Sequence, residues 1–383
     1  MTSDCNIVYV VTYNFGSTKA GPVIRFIKYH RYFKKLGWEL IFITTTDSFN
    51  GFYQDNNGIK SYHLEALNSN DLILKVEDFV NKLNHANINL IFFNVNYKNY
   101  FNFFRMKLKG HNLIYVSTMK LEFDDLNYFK GLISRIVHSL LYSLMNKIVS
   151  STNLLKGDFI KLGITKDKLL VINNGVDTNR FSKVNLEKKK SIRKLYSIDL
   201  DRHIFLYVGL FIYRKGVLEL LKTFTQLYNK RRDFQFVMVG HEMDHHENTP
   251  NFLVDWDLEK KKALDAGWLK IFPFTNSVDE FYKLADSFVF MSRLEGMPNV
   301  ILEAMSSGLP ILTTKFNGFS SNYGLNGEDY LFLSYNYQKN IRTINNLMDN
   351  KSLLNLLSKN SRARSINNFD INHSINKYID IFN

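Results

Sequence analysis

The sequence predicts an α/β protein made of two doubly wound parallel-sheet domains. Three observations carry that prediction. The chain has 383 residues, more than a single core usually organises. Short apolar, β-branched runs alternate with stretches of helical period. After the turn-forming stretch NNGVD at 173–177, the alternation starts again. With 45% hydrophobic and 22% charged residues, the composition is that of a globular chain.

The first half opens with a strand, NIVYVVTY at 6–13, followed by the loop NFGSTKAGP and a helix at 23–36 that Gly37 closes. WELIFITTT at 38–46 is the next strand. Strand, loop, helix, strand is how a doubly wound sheet begins. INLIFFNV at 88–95 and NLIYVST at 112–118 read as buried strands. Residues 131–149 carry apolar pairs at 132/133, 136/137, 140/141, 144/145 and 148/149, which predicts one helix with one apolar face. KIVSS and KLLVINNGV supply further strands.

The second half repeats the scheme. HIFLYVGLF at 203–211 is a strand, YRKG a loop and 217–228 a helix. FQFVMVG, WLKIFPF, SFVFMSR and LPILTT follow as strands, and 370–382 as a terminal helix. The expected domains are 1–174 and 175–365, with 366–383 packing back toward the first. Ligands of such sheets bind beyond the carboxyl ends of strands, so the candidates lie in the loops after them.

The formal net charge is +13, of which residues 1–190 carry +11. A basic half draws phosphates, nucleic acid or an acidic membrane, and plain solubility is the alternative. One cysteine, Cys5, excludes an internal disulfide and fits a reducing compartment. No stretch reaches about 18 uninterrupted apolar residues, so the chain is expected to be soluble or peripheral.

The loop and helix after SFVFMSR hold the main candidates. Glu295 and Gly296 follow the strand, Pro298 suits a first helical turn, and Gly308 stops the helix. Glu303 lies a turn inside, sharing a face with Asn299 and Ser306. A buried carboxylate is costly without partners, and a hydroxyl-rich ligand supplies them. The amides of a helix start suit a phosphate. Together these describe a nucleotide-sugar site. In the plainer reading, Glu295 caps a turn and Glu303 pairs with a core lysine.

The stretch EGMPNVILEAMSSGLPIL resembles the signature of glycosyltransferase family 4, retaining enzymes of the GT-B fold with an E-x7-E pattern. The resemblance places the donor ribose on Glu303 and the donor sugar beside Glu295, with Gly296, Met297, Pro298 and Asn299 lining the donor. VINNGVDTNRF resembles the family's interdomain segment. LYVGLFIYRKG resembles its first carboxyl-terminal strand and loop, which implies that Gly209 and Lys215 meet the donor, the lysine at the diphosphate. The family commonly has an arginine directly after that glycine. This chain has Leu210, and Arg214 is the candidate substitute or, alternatively, a solvated loop charge. FVMVGHE contributes Gly240, and IFPFTNSVDEFYKLADSFVFMS matches the segment lining the base, where Phe274 flanks the base or lies in the core.

In the first domain, NFGSTKAGP stands where the family has a glycine-rich loop. Gly16 and Gly21 are therefore candidates for diphosphate or acceptor approach, or simply make a turn. NLIYVSTMKLEFDDLN lacks the family's histidine. Asp124 and Asp125 are candidates for positioning the acceptor or capping a helix. Two D-x-D strings exist. Asp199–Asp201 precedes a strand, and Asp257 is expected to cap LEKKKAL. Neither is read as a metal site, nor is the lone pair His245–His246.

The implied fold is GT-B: two Rossmann-like doubly wound domains facing a central cleft. The implied activity is retaining transfer of a hexose or N-acetylhexosamine from a nucleotide-sugar, UDP favoured, to a glycan or lipid-linked glycan. No metal or cofactor is expected, and the enzyme is expected in the cytoplasm. YKNYFNFFRMKLKGH at 97–111 interleaves aromatics with Arg105, Lys107 and Lys109, which suits an anionic membrane at its inner face. A core helix with a basic rim, or single-strand nucleic acid stacking, are its alternatives, and the donor motif disfavours nucleic acid. A catalytically weak partner subunit and an epimerase-like enzyme are the rival functions. A dehydrogenase is disfavoured because no G-x-G-x-x-G follows the first strand.

Overall fold

A computed structural model describes residues 6–13, 21–45, 51–83, 85, 87–117, 128–243 and 247–383, with the backbone alone at 21–22 and 128–131. The chain forms two compact units, Met1–Asn174 with Asn372–Asn383, and Gly175–Ile371.

The first unit contains β1 (Asn6–Val11), α1 (Gly21–Lys35), β2 (Trp38–Thr44), β3 (Gly51–Gln54), β4 (Lys60–His63), α2 (Ser69–Leu83), β5 (Asn89–Phe92), α3 (Tyr100–Leu108), β6 (Asn112–Ser117), α4 (Tyr128–Ser143), β7 (Lys147–Ser150), α5 (Asn153–Lys161) and β8 (Leu169–Val171). Among the described residues these strands form an eight-stranded sheet, ordered β3-β4-β2-β1-β5-β6-β7-β8, parallel except for β3. Right-handed crossovers put α1 on one face and α2 to α5 on the other.

The second unit contains α6 (Leu186–Leu195), β9 (His203–Val208), α7 (Val217–Tyr228), β10 (Phe234–Val239), α8 (Pro250–Asp265), β11 (Leu269–Phe272), α9 (Val278–Leu284), β12 (Ser287–Phe290), α10 (Asn299–Ser306), β13 (Ile311–Thr314), β14 (Tyr330–Leu333), α11 (Tyr337–Asp349) and α12 (Lys351–Phe369). Its six described strands are ordered β11-β10-β9-β12-β13-β14, and each neighbouring pair is parallel. Every residue of β10 and β12 is buried, as expected of strands covered on both faces. Phe224 of α7 stacks on Phe236 of β10 with ring centres 4.4 Å apart.

The last helix, α13 (Ile371–Phe382), belongs to the first unit from Asn372 onward. Tyr378 packs edge-on to Phe26 of α1, and Phe382 lies 5.2 Å from Trp38. The side chains of Asn89 and Asn112, at the starts of β5 and β6, donate to the carbonyls of Phe382 and Ile381. The chain leaves the second unit six residues later than the sequence reading placed it. The reason is that α12 runs unbroken through 366, and Phe369 is fully buried in the second core.

Two predicted elements differ. The helix read at 131–149 ends at Ser143, and Lys147–Ser150 is β7, the strand also read as KIVSS. Leu144 and Met145 make a turn, their amides donating to Leu141 and Tyr142. A four-residue repeat thus ran across two elements. Nor does the stripe all face inward: Leu141 is buried, whereas Leu132, Ile133, Ile136 and Leu140 are exposed. Asp257 does not cap a helix either. It lies within α8, which Thr249 caps, and pairs with Lys260, while Asp255 pairs with Lys222.

Candidate functional site in the second unit

In the second sheet, connections run one way from β9 to β10 and β11, and the other way from β12 to β13 and β14. The loops after neighbouring strands β9 and β12 therefore diverge at a topological switch point, where parallel sheets present a crevice. They are bound together: the Arg293 amide donates to the Arg214 carbonyl at 2.9 Å. Glycine is required at 216, where φ is +65° and a Cβ would sit 2.2 Å from the Met291 carbonyl oxygen. Gly240, after β10, has φ +155°, and its Cβ would fall 1.9 Å from the Gly209 carbonyl oxygen. The Gly209 amide in turn donates to Val239 at 3.0 Å.

Glu295 is the centre of the junction. Its Oε1 accepts from Ser292 Oγ at 2.7 Å, from Arg214 Nη1 at 3.3 Å and from Lys215 Nζ. Arg214 also donates to the Leu294 carbonyl at 2.5 Å and lies 3.8 Å from Glu247. It is an enclosed, paired charge and not a solvated loop cation. Burial pushes the Lys215 ammonium below the usual lysine range, and the Glu295 carboxylate opposes that shift. Burial, then the charge of Glu295, holds the Tyr207 and Tyr323 phenols well above their usual value. The Tyr207 hydroxyl donates to the carbonyl of Leu210, so Leu210 contributes backbone where the resembling family has a cation.

Gly296, Met297 and Pro298 are buried, and α10 begins at half-buried Asn299. Pro298 is the N-cap, one position earlier than expected, and provides no side-chain cap. Glu303 is buried within α10, and the Tyr282 hydroxyl donates to its Oε2 at 3.0 Å. Burial, then Glu303, drives that phenol well above its usual value. Ser306 leaves the expected polar stripe: its hydroxyl donates to the Phe181 carbonyl at 2.6 Å. Phe274 follows β11 and is 62% exposed, which excludes the core placement.

Sequence reasoning missed Ser292, Tyr282 and a brace behind the loop. Arg293 pairs with Glu219 at 2.6 Å and lies over the rings of Tyr213 and Tyr335. A serine three residues before an acid is a legible hint. Tyr282, twenty-one residues from Glu303, gives none. Gly21 opens α1, while Gly16, Asp124, Asp125 and His245–His246 lie outside the described residues. In the 97–111 segment Arg105 pairs with Glu77 at 2.6 Å, Lys107 donates to the Leu144 carbonyl, and Lys109 to Asn81.

Residues 188–364 match the family described as Glycosyl transferases group 1. This segment, a little under half of the chain, is similar to that family's domain. Arg214, Lys215, Glu295 and Glu303 all fall inside it. A relative from Escherichia coli, the UDP-Gal:alpha-D-GlcNAc-diphosphoundecaprenol alpha-1,3-galactosyltransferase, is 30% identical over 217 residues, 56% of this chain and 54% of that one. The N,N'-diacetylbacillosaminyl-diphospho-undecaprenol alpha-1,3-N-acetylgalactosaminyltransferase of Campylobacter jejuni is 25% identical over 261 residues, 66% of this chain and 65% of that one. The chain thus spans about half to two thirds of the length of these curated relatives. The chain is similar in structure to Anabaena Alr3699/HepE in complex with UDP, with a TM-score of 0.77, at 14% identity, over 98% of both chains. The fold is GT-B.

Proposed function

We propose that the protein is a retaining glycosyltransferase that moves a hexose or N-acetylhexosamine from a UDP-sugar to a glycan or lipid-linked glycan. The observation that carries this reading is the convergence of Arg214 and Lys215 on Glu295 at the switch point, with Glu303 buried on the following helix. The acceptor hydroxyl attacks the anomeric carbon on the face from which the diphosphate departs. The carbon–oxygen bond to the phosphate breaks, its electron pair leaves with the diphosphate, and the hydroxyl proton passes to the departing phosphate oxygen. Lys215 and Arg214 stabilise that developing charge. Glu295 opposes the downward pull of burial on the Lys215 ammonium and holds it in place. Glu303 takes the donor ribose hydroxyls.

The acceptors named for both relatives support a diphosphopolyprenol-linked acceptor, and the donor named for the Escherichia coli relative supports a uridine donor. The test offers UDP-, GDP-, ADP- and dTDP-sugars with and without a polyprenyl-diphosphate N-acetylhexosamine. Nuclear magnetic resonance then reads the anomeric configuration of the product. An α-linked product with acceptor-dependent release of UDP is expected. Conversion of the sugar nucleotide without acceptor would favour an epimerase-like enzyme. Saturable binding without turnover would favour a partner subunit, the reading that Leu210 supports.

A further inference from the structure

The groups that meet at the switch point ride on two separate loops. Arg214 and Lys215 follow β9, and Glu295 follows β12. Among the described residues a single main-chain hydrogen bond joins these loops, from the Arg293 amide to the Arg214 carbonyl at 2.9 Å. One such bond does not fix an ammonium at the end of a flexible four-carbon stem. The side chain of Arg293 supplies what is missing.

That side chain crosses from the Glu295 loop to the Lys215 loop. Its guanidinium lies over the Tyr213 ring, 4.2 Å from the ring centre, and its Nη2 donates to Glu219 Oε1 at 2.6 Å. Tyr213, Arg214 and Lys215 make one turn of 3₁₀ helix that Gly216 closes, and Glu219 stands in the first turn of α7. The arginine therefore grips the stretch bearing the two cations at both ends. Tyr213 is itself fixed: its ring is edge-on to buried Phe252, and its amide donates to Asn248 Oδ1 at 3.0 Å. The guanidinium also meets the ring of Tyr335, after β14, at 4.8 Å. On its own side, the Arg293 carbonyl accepts from the Asn317 amide at 2.8 Å, and the Glu295 amide donates to the Asn317 carbonyl at 3.0 Å. The Glu295 loop is thus anchored, and the Lys215 loop is held to it by one side chain.

The arrangement is not that of an ordinary surface ion pair. The side chains of Arg293 and Glu219 are only 27% and 14% exposed. Arg293 Nη1 and Glu219 Oε2 are buried without a hydrogen-bond partner among the described residues. A pair kept for stability alone would satisfy those atoms, because burying them unbonded is costly. Only arginine offers a planar cation that lies flat on a ring while pairing with a carboxylate. Its side chain bonds to Glu219 and meets the two tyrosine rings, and reaches neither Lys215 nor the Glu295 carboxylate.

We propose that Arg293 is a positioning residue for the transfer reaction: stacked on Tyr213 and paired with Glu219, it holds the turn of Arg214 and Lys215 in register with Glu295. The inference rests on the donor chemistry proposed for Lys215.

A double-mutant cycle and hydrogen exchange test it on the full chain. Turnover is measured with the sugar nucleotide of the four-base panel that gives product, for wild type, Arg293→Ala, Lys215→Ala and the double variant. Arg293→Ala is expected to lower kcat about 10–100-fold with little change in donor KM, and the double variant to fall within about threefold of Lys215→Ala alone. Wild-type kcat in Arg293→Ala, or losses that multiply in the double variant, overturns the proposal. Hydrogen exchange is read without substrate. The amides of Gly216, Arg293 and Glu295 are expected to exchange roughly tenfold faster or more in Arg293→Ala, under conditions where its thermal melt shows it folded. Unchanged exchange at those amides overturns the proposal whatever the turnover. Wild type that turns over no sugar nucleotide contradicts the transfer reading instead, and the amides still decide whether Arg293 holds the loops. Should Arg293→Ala not fold, Glu219→Gln loosens the same grip from its other end and is held to the same outcomes.

Discussion

Lys215 and Glu303 answer different questions about the same reaction. Lys215 faces charge that develops only as the diphosphate leaves, so Lys215→Ala is expected to lower kcat by about 10²–10³-fold with KM little changed in steady-state assays. Glu303 is expected to grip the donor in ground and transition states alike. Glu303→Ala should therefore raise the donor dissociation constant by roughly 10–100-fold, as measured by calorimetry, the range expected for charged hydrogen bonds. Wild-type values in both variants would contradict these assignments. The two glutamates were legible because they interrupt an apolar run at fixed spacing. Their partners were less so: Ser292 and Tyr282 are ordinary residues until the fold turns their hydroxyls toward a carboxylate.

At the level of elements, the loop after β9 depends on one left-handed residue. Gly216→Ala brings a methyl group against the Met291 carbonyl in a conformation that costs an L-residue about 1–2 kcal/mol before any clash. The variant is expected to lose several degrees of melting temperature and most of its turnover, because displacing the loop carries Arg214 and Lys215 off Glu295. An unchanged melt and unchanged kcat would show that the loop relaxes without consequence. Helix α7 was readable to its end residues, since its apolar period is interrupted at both ends by glycine or polar turn residues. Helix α4 was not. Its repeat ran on into β7, and the same pattern that marks a core face here marks an outward one. Periodicity tells which residues share a face, but not what that face meets.

For the molecule as a whole, pH dependence has an identifiable source in the second unit. His203 is half-buried beside Phe205 and bonded to Ser287 Oγ at 2.9 Å, with Asp286, Lys189, Arg193 and Arg231 around it. Burial pulls its value from the usual 6.5 to about 4. A depressed folded value means that unfolding takes up a proton in between. Its stabilisation is full above 6.5 and is lost as pH falls toward 4. Urea midpoints are expected to decline across that window, and His203→Asn to flatten the decline. An equally steep profile in that variant would locate the proton elsewhere. The two-sheet architecture was visible in the restart of the strand pattern at 203, and the terminal helix was expected to pack back toward the first unit, whereas its individual partners, such as Phe26 for Tyr378, lie too far apart in sequence to be read from it. Removing 372–383 is expected to destabilise the first unit well before the second in limited proteolysis.

That late-arriving helix also sets a timetable for synthesis. The first unit's sheet, with Phe26 and Tyr29 on the aromatic side of α1, is complete about 200 residues before the segment that shields it. At a translation speed of roughly 5–20 residues per second, the nascent amino-terminal sheet waits on the order of 10–40 s with a sticky flank bare. Chaperone holding during that interval, or slower aggregation at lower temperature, follows from where the chain keeps its last dozen residues.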